Sequence, residues 1–152
     1  MMIKSVFNAA DVAELKDRIN KLTPQTAALW GKMNVSQMLA HANVSYEMAY
    51  TDKHPKPNAL LRFILKTFVK NVVVGPKPYK RNTPTAKAFI IGDGRNFETE
   101  KARLLEYLDH TLQLGKDHFE RRESLSFGRL TADEWNVMFY KHLDHHLQQF
   151  GA

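Results

Sequence analysis

The sequence predicts an all-α fold, a helical bundle built as one domain over residues 1–152. Three observations predict it. Apolar residues recur at helical spacing through several long segments, and helix-start signals stand directly before them. Few stretches show the strict alternation of a half-buried strand. A chain of 152 residues is also long enough to bury a core without disulfides or structural metals.

The first helix is predicted from Ala9 to Lys21, with Asn8 as N-cap and Asp11 favouring the positive helix end. Thr23-Pro24 reads as a cap followed by proline at the first helical position, opening a short turn through Trp30. Asn34 opens the next helix, with Gln37 placed to complete a capping box, and it runs to about Tyr50. Lys53 to Pro57 is a loop. Asn58 to Val74 is predicted helical because Leu61, Ile64, Leu65, Phe68 and Val72 share a stripe. Gly75-Pro76-Lys77-Pro78 stops it, since proline has no amide hydrogen and clashes with the preceding turn. An irregular piece follows to Gly94, with a short extended run predicted at Ala86 to Ile91. Asn96 caps a helix carrying Phe97, Leu104, Leu105, Leu108, Leu112 and Phe119. Thr131 and Glu134 form a second capping box, and the last helix extends to Phe150.

Composition removes several function classes. The chain has no cysteine, which excludes disulfides, thiolate ligands and a cysteine nucleophile. The N-terminal Met1-Met2-Ile3-Lys4-Ser5-Val6-Phe7 lacks the long apolar run of a leader, and no stretch reaches about 18 uncharged apolar residues. A cytoplasmic location is therefore expected. The net charge of +6 is local: nine Lys or Arg and no Asp or Glu lie between Lys53 and Lys87, leaving 13 basic against 16 acidic residues elsewhere.

The chemistry concentrates in His142-Leu143-Asp144-His145-His146. On a helix turning about 100° per residue, His142 and His146 fall about 20° to either side of Trp135, inside the face that carries Phe139, Leu143 and Phe150. His145 falls toward the edge of that face and Asp144 opposite it. Residues four apart stand close enough for two imidazoles to share one metal ion. A hydrogen-bonded pair of core histidines is the competing reading. Spacing supplies no third ligand. His41 on the second helix is the best placed candidate, at the border of its core face beside Met38, Ser45 and Met48.

Three stretches carry a family resemblance. They are Leu29-Trp30-Gly31-Lys32-Met33-Asn34-Val35-Ser36-Gln37-Met38-Leu39-Ala40-His41, then Phe127 to Trp135, and the histidine run with Gln149-Phe150-Gly151 after it. Together they resemble the DinB-like superfamily, and more specifically its DUF1569 branch. The resemblance implies a four-helix bundle of up-down-down-up order with a long Pro-rich crossover. It also implies a metal held by one histidine of the second helix and an H-x3-H pair of the last, which by position are His41, His142 and His146, with His145 outside the triad. Members of the wider superfamily include thiol S-transferases and isomerases that use a low-molecular-weight thiol.

Three neutral imidazoles suit zinc, nickel, iron or copper, with zinc or nickel expected first. Three protein ligands leave a position open, the layout of a catalytic rather than a structural zinc site. The function expected is a metal-dependent enzyme of hydrolase or thiol S-transferase type acting on a small molecule. Asp144, Asp109 and His145 are the candidate general acids or bases, and Asp144 reads as a solvated helix charge. His110 and His118 read as surface or flank residues, Trp30 and Trp135 as core or pocket wall, and His54 as a loop residue. The rival is a non-catalytic binding module. Arg62, Lys66 and Lys70 form a charged ridge at i+4 spacing, through which segment 53–87 would meet an anionic membrane surface or nucleic acid. No nucleic-acid motif accompanies it. A homodimer is compatible with the predicted bundle.

Overall fold

The computed structural model describes residues 3–152 and is mostly helical, with one small two-stranded sheet. The reading of the N-terminus as leaderless falls in part on Met1 and Met2, outside the described residues. No helix among those described is long and apolar enough to cross a membrane.

Local chemistry sets most of the boundaries. Helix α1 (Ala9–Asn20) starts where the Asn8 side chain accepts from the amides of Ala10 and Asp11. Helix α2 (Val35–Tyr50) starts at the predicted capping box, with Asn34 accepting from the Gln37 amide and Gln37 returning a bond to the Asn34 amide. Asn58 caps α3 (Ala59–Ile64), which passes through a π-helical segment (Leu65–Val69) into α4 (Lys70–Val74). Asn96 caps α5 (Phe97–Phe119). The Thr131–Glu134 capping box opens α6 (Ala132–Gln149).

Helices α1, α2, α5 and α6 pack pairwise on one core, and α4 lies against the outside of α6. The centre of that core is aromatic. Tyr46 stacks between Phe139 at 4.7 Å and Tyr107 at 5.3 Å, while Trp135 and Phe119 close the other side of Phe139 at 5.5 and 5.9 Å. Helix α2 is buried on nearly every side. One consequence is an internal carboxylate, Glu47, which accepts from Arg103 at 2.5 Å, His54 at 2.7 Å and Lys53 at 3.2 Å. Burial works to raise its pKa, but those three bonds prevail and hold it below the usual range.

Four expectations are corrected. The segment after Thr23 is the short turn expected, with the Thr26 amide bonded to the Thr23 carbonyl, but Pro24 opens no helix and the turn does not continue through Trp30. Its backbone finds partners elsewhere: the Leu29 amide donates to the Gln149 carbonyl at the end of α6. The stretch predicted extended at Ala86 to Ile91 contains a 3-10 turn (Lys87–Phe89). The fold is not wholly α, because an antiparallel hairpin joins α5 to α6 through β1 (Arg122–Ser124) and β2 (Gly128–Leu130). Strands of three residues are too short to display alternation, so periodicity misses them.

The fourth correction concerns the basic ridge, which faces inward. Arg62 pairs with Glu123 on the hairpin, Lys66 lies over Gly128, and Lys70 pairs with Glu134 at 3.1 Å. The π segment, with the Lys70 amide bonded five residues back to the Leu65 carbonyl, adds a residue to one turn. It keeps Lys70 on the same inner side as Arg62. Most of the predicted stripe is consequently outside, with Leu61, Ile64, Phe68 and Val72 exposed and Leu65 partly buried, and Leu60 and Phe63 are exposed beside it.

Phe139→Ala is expected to cost about 3–5 kcal/mol of unfolding free energy by denaturant titration. Phe63→Ala is expected to change it by about 0.5 kcal/mol or less. Equal losses would show that the 59–74 helix buries its apolar side.

Candidate metal centre

Two helices supply the three imidazoles. His41 comes from the middle of α2, and His142 and His146 come from successive turns of α6, which crosses it. His41 and His146 are buried, and His142 is partly exposed. Ring centroids are 4.9 Å apart for His41 and His142, 4.5 Å for His41 and His146, and 4.8 Å for His142 and His146. One ligating atom from each lies within 4.8 Å of the others, close enough to hold a metal ion. Nitrogens about 2.0–2.1 Å from a tetrahedral ion stand about 3.3–3.4 Å apart, so closing the cluster on zinc asks for movement on the order of 1 Å.

The other ring nitrogens are already committed. His41 Nδ1–H donates to the Phe89 carbonyl at 2.7 Å, and that oxygen can only accept. His146 Nδ1–H donates to Gln149 Oε1 at 2.7 Å, and the orientation of that amide is fixed because its Nε2 donates to the Trp30 carbonyl at 2.9 Å. His142 Nδ1 lies 3.1 Å from Ser45 Oγ, a hydroxyl that can donate or accept. With Nδ1 protonated, neutral His41 and His146 carry their lone pairs on Nε2. The His41 and His142 Nε2 atoms lie 3.0 Å apart. Anchoring of this kind, with one nitrogen held by a carbonyl, amide or hydroxyl, is how metal-ligating histidines are commonly oriented.

The rings are also held uncharged. Burial is the main cause, and the neighbouring imidazoles add to it: His142 is pushed well below the ordinary histidine value and His146 to about 3. Burial lowers His41 as well, against the opposing pull of the Phe89 carbonyl. Neutral imidazole is the form that binds metals.

The segment between α4 and α5 forms the outer wall. The Phe89 ring lies 5.3 Å from His41 and 5.6 Å from His142, and Tyr79 lies 5.6 Å from His145. Trp30 meets His145 edge-on at 5.8 Å and carries the Arg81 guanidinium 4.0 Å above its ring. Lys141, next to His142, ties the start of this wall by donating to the carbonyls of Val72 and Gly75 at 2.6 Å and Lys77 at 3.1 Å. Burial lowers its pKa to about 8.

The remaining candidates separate clearly. Asp144 pairs with Arg18 at 2.7 Å and Asp109 with Lys16 at 2.7 Å, both away from the cluster. His145 stands at the rim, half-buried, and outside the three-ring group. His110 packs on Tyr50, His118 beside Phe119, and His54 on Glu47. Trp135 is core, whereas Trp30 is wall. Sequence reasoning gave no role to Gln149, Phe89 or Gly31. Gln149 had a readable signal, three residues after His146 on the same helix side. Gly31, at φ 84°, leaves space that a Cβ would take from Gln149, standing 2.5 Å from its Nε2.

A mostly helical protein with a possible three-histidine metal site is the class that this fold and cluster define. Over residues 4–152 the chain matches the family described as "Protein of unknown function (DUF1569)", and it belongs to that family. No curated protein and no solved structure matches it.

The lowered histidine pKa values set the sign of a pH effect on the metal-free protein. Below about 6.5 the unfolded chain takes up protons that the folded chain refuses. Stability is thus present above that pH and is lost as pH falls toward 3, by up to about 1.4 kcal/mol per pH unit for each fully buried ring. Denaturant titrations at pH 7.5 and 5 test this, and equal midpoints would show that the rings are not buried in neutral form.

Proposed function

We propose that this chain is a metal-dependent enzyme of hydrolase or low-molecular-weight-thiol S-transferase type. His41, His142 and His146 would hold one divalent transition metal, zinc or nickel first and iron next. The observation that carries the proposal is the fixed direction of the rings: Phe89, Gln149 and Ser45 engage each Nδ1, and the Nε2 atoms of His41 and His142 meet at 3.0 Å, where a metal ion would replace the hydrogen bond between them. A metal bound to three imidazoles supplies Lewis acidity for hydrolysis or for activating a thiol, at a position the protein leaves open. The family's DinB-like relationship and an up-down-down-up four-helix arrangement belong to the same proposal. They are supported by the shared core of α1, α2, α5 and α6 and by the long connection between α2 and α5.

The chain's own residues divide the remaining work. Trp30, Tyr79 and Phe89 shield the imidazoles from bulk water. His145 is the residue placed to move a proton at the rim, because Asp144 and Asp109 are taken by Arg18 and Lys16. Burial keeps His145 neutral, opposed by Asp144 and aided by Arg81. It can therefore accept a proton from a small substrate.

Elemental analysis of tag-free protein tests the site. About one equivalent of transition metal per chain is expected. His41→Ala and His146→Ala should lose most of it and His145→Ala should retain it. Gln149→Leu should weaken affinity about 10–100-fold through loss of ring orientation. Equal retention in all four variants would contradict the assignment.

A further inference from the structure

The apolar side of the 59–74 helix faces solvent, and the fold keeps it there. Arg62 and Lys70 are fixed inward on Glu123 and Glu134, and Lys141 clamps the carbonyls of Val72, Gly75 and Lys77 at its C-terminal end. The helix cannot roll its apolar side into the core without breaking these contacts. What it presents is Leu60, Phe63, Ile64, Phe68 and Val72, with Ile90 also exposed; Phe63 and Phe68 are 64% and 71% accessible. A buried phenylalanine covers about 150–250 Å², so these two rings alone offer about 200–300 Å². With the aliphatic side chains the face reaches or exceeds the largest patch on an ordinary monomer, about 300–600 Å².

The charge around this face selects its occupant. Residues 53–92 contain no Asp or Glu. Among the described residues, Lys77, Lys80 and Lys87 in the same stretch are exposed and form no ion pair. A second copy seated on the face would set two acid-free cationic stretches against each other. An anionic lipid surface complements both the apolar side chains and the lysines, which is the combination that binds interfacial helices.

We propose that the apolar side of the 59–74 helix, with its unpaired lysines, docks the protein peripherally on an anionic bilayer surface. The docking does not depend on the metal reading. Here the apolar side makes the contact and the lysines assist, while the Arg62 and Lys70 charges hold the helix from behind.

The test is co-sedimentation of the full chain with vesicles of equal parts phosphatidylglycerol and phosphatidylcholine, and with phosphatidylcholine alone, at low and high salt. Two double variants accompany it, Phe63→Ser with Phe68→Ser and Lys77→Glu with Lys80→Glu, checked for folding by dichroism and for mass by light scattering. The native chain is expected on the anionic vesicles only, weaker in high salt. Each double variant should bind about tenfold less. The lysine variant keeps the test decisive if the phenylalanine variant does not fold. No binding to anionic vesicles at low salt would overturn the proposal. So would a native dimer that the phenylalanine variant turns into monomers, which would assign the face to a second copy.

Discussion

Everything around the candidate centre depends on one constraint: three imidazoles brought into contact between two helices must each have a partner for Nδ1. An unsatisfied buried polar group costs several kcal/mol, roughly, and three would consume much of the stability of a domain this size. The protein meets the requirement with three different groups from three places: a backbone carbonyl on the crossover, a hydroxyl on α2 and an amide on α6. Each solution turns Nε2 away from its anchor, and the Nε2 atoms of His41 and His142 meet at 3.0 Å. The rings are positioned by what lies behind them.

That requirement organises chain segments far from the histidines. The 3-10 turn at Lys87–Phe89 replaces an extended run and delivers the Phe89 carbonyl to His41. Gly31 takes a positive φ where a Cβ would collide with the Gln149 amide, so the loop before α2 can receive the end of α6. Lys141 bonds to three carbonyls around Gly75, linking the exit of α4 to the helix that carries His142. The irregular appearance of these segments in sequence reflects their work as anchors. Besides their own turns, their backbone carbonyls accept from side chains of α2 and α6.

What could be read in advance was local. The caps at Asn8, Asn34, Asn96 and Thr131 were legible because a cap involves residues two or three apart. The His142–His146 pair was legible because four residues make about one helical turn. Its partner His41 was suggested by position, and its assignment to the triad followed a family resemblance, since no spacing rule joins residues on different helices. The direction of the 59–74 helix was not legible. An amphipathic pattern states that two sides differ and not which one faces the core, and here ion pairs with Glu123 and Glu134 decided in favour of the basic side. The hairpin escaped for want of length. The bond from Gln149 to the Trp30 carbonyl escaped because it spans most of the chain.

The central claim is that the Nε2 atoms of His41, His142 and His146 share one ion. X-ray absorption spectroscopy of the zinc-loaded protein addresses it at the atoms concerned. The account predicts three imidazole nitrogens at about 2.0–2.1 Å with a further light ligand completing the shell. A shell with one imidazole or none, made up of carboxylate and water oxygens, would contradict it.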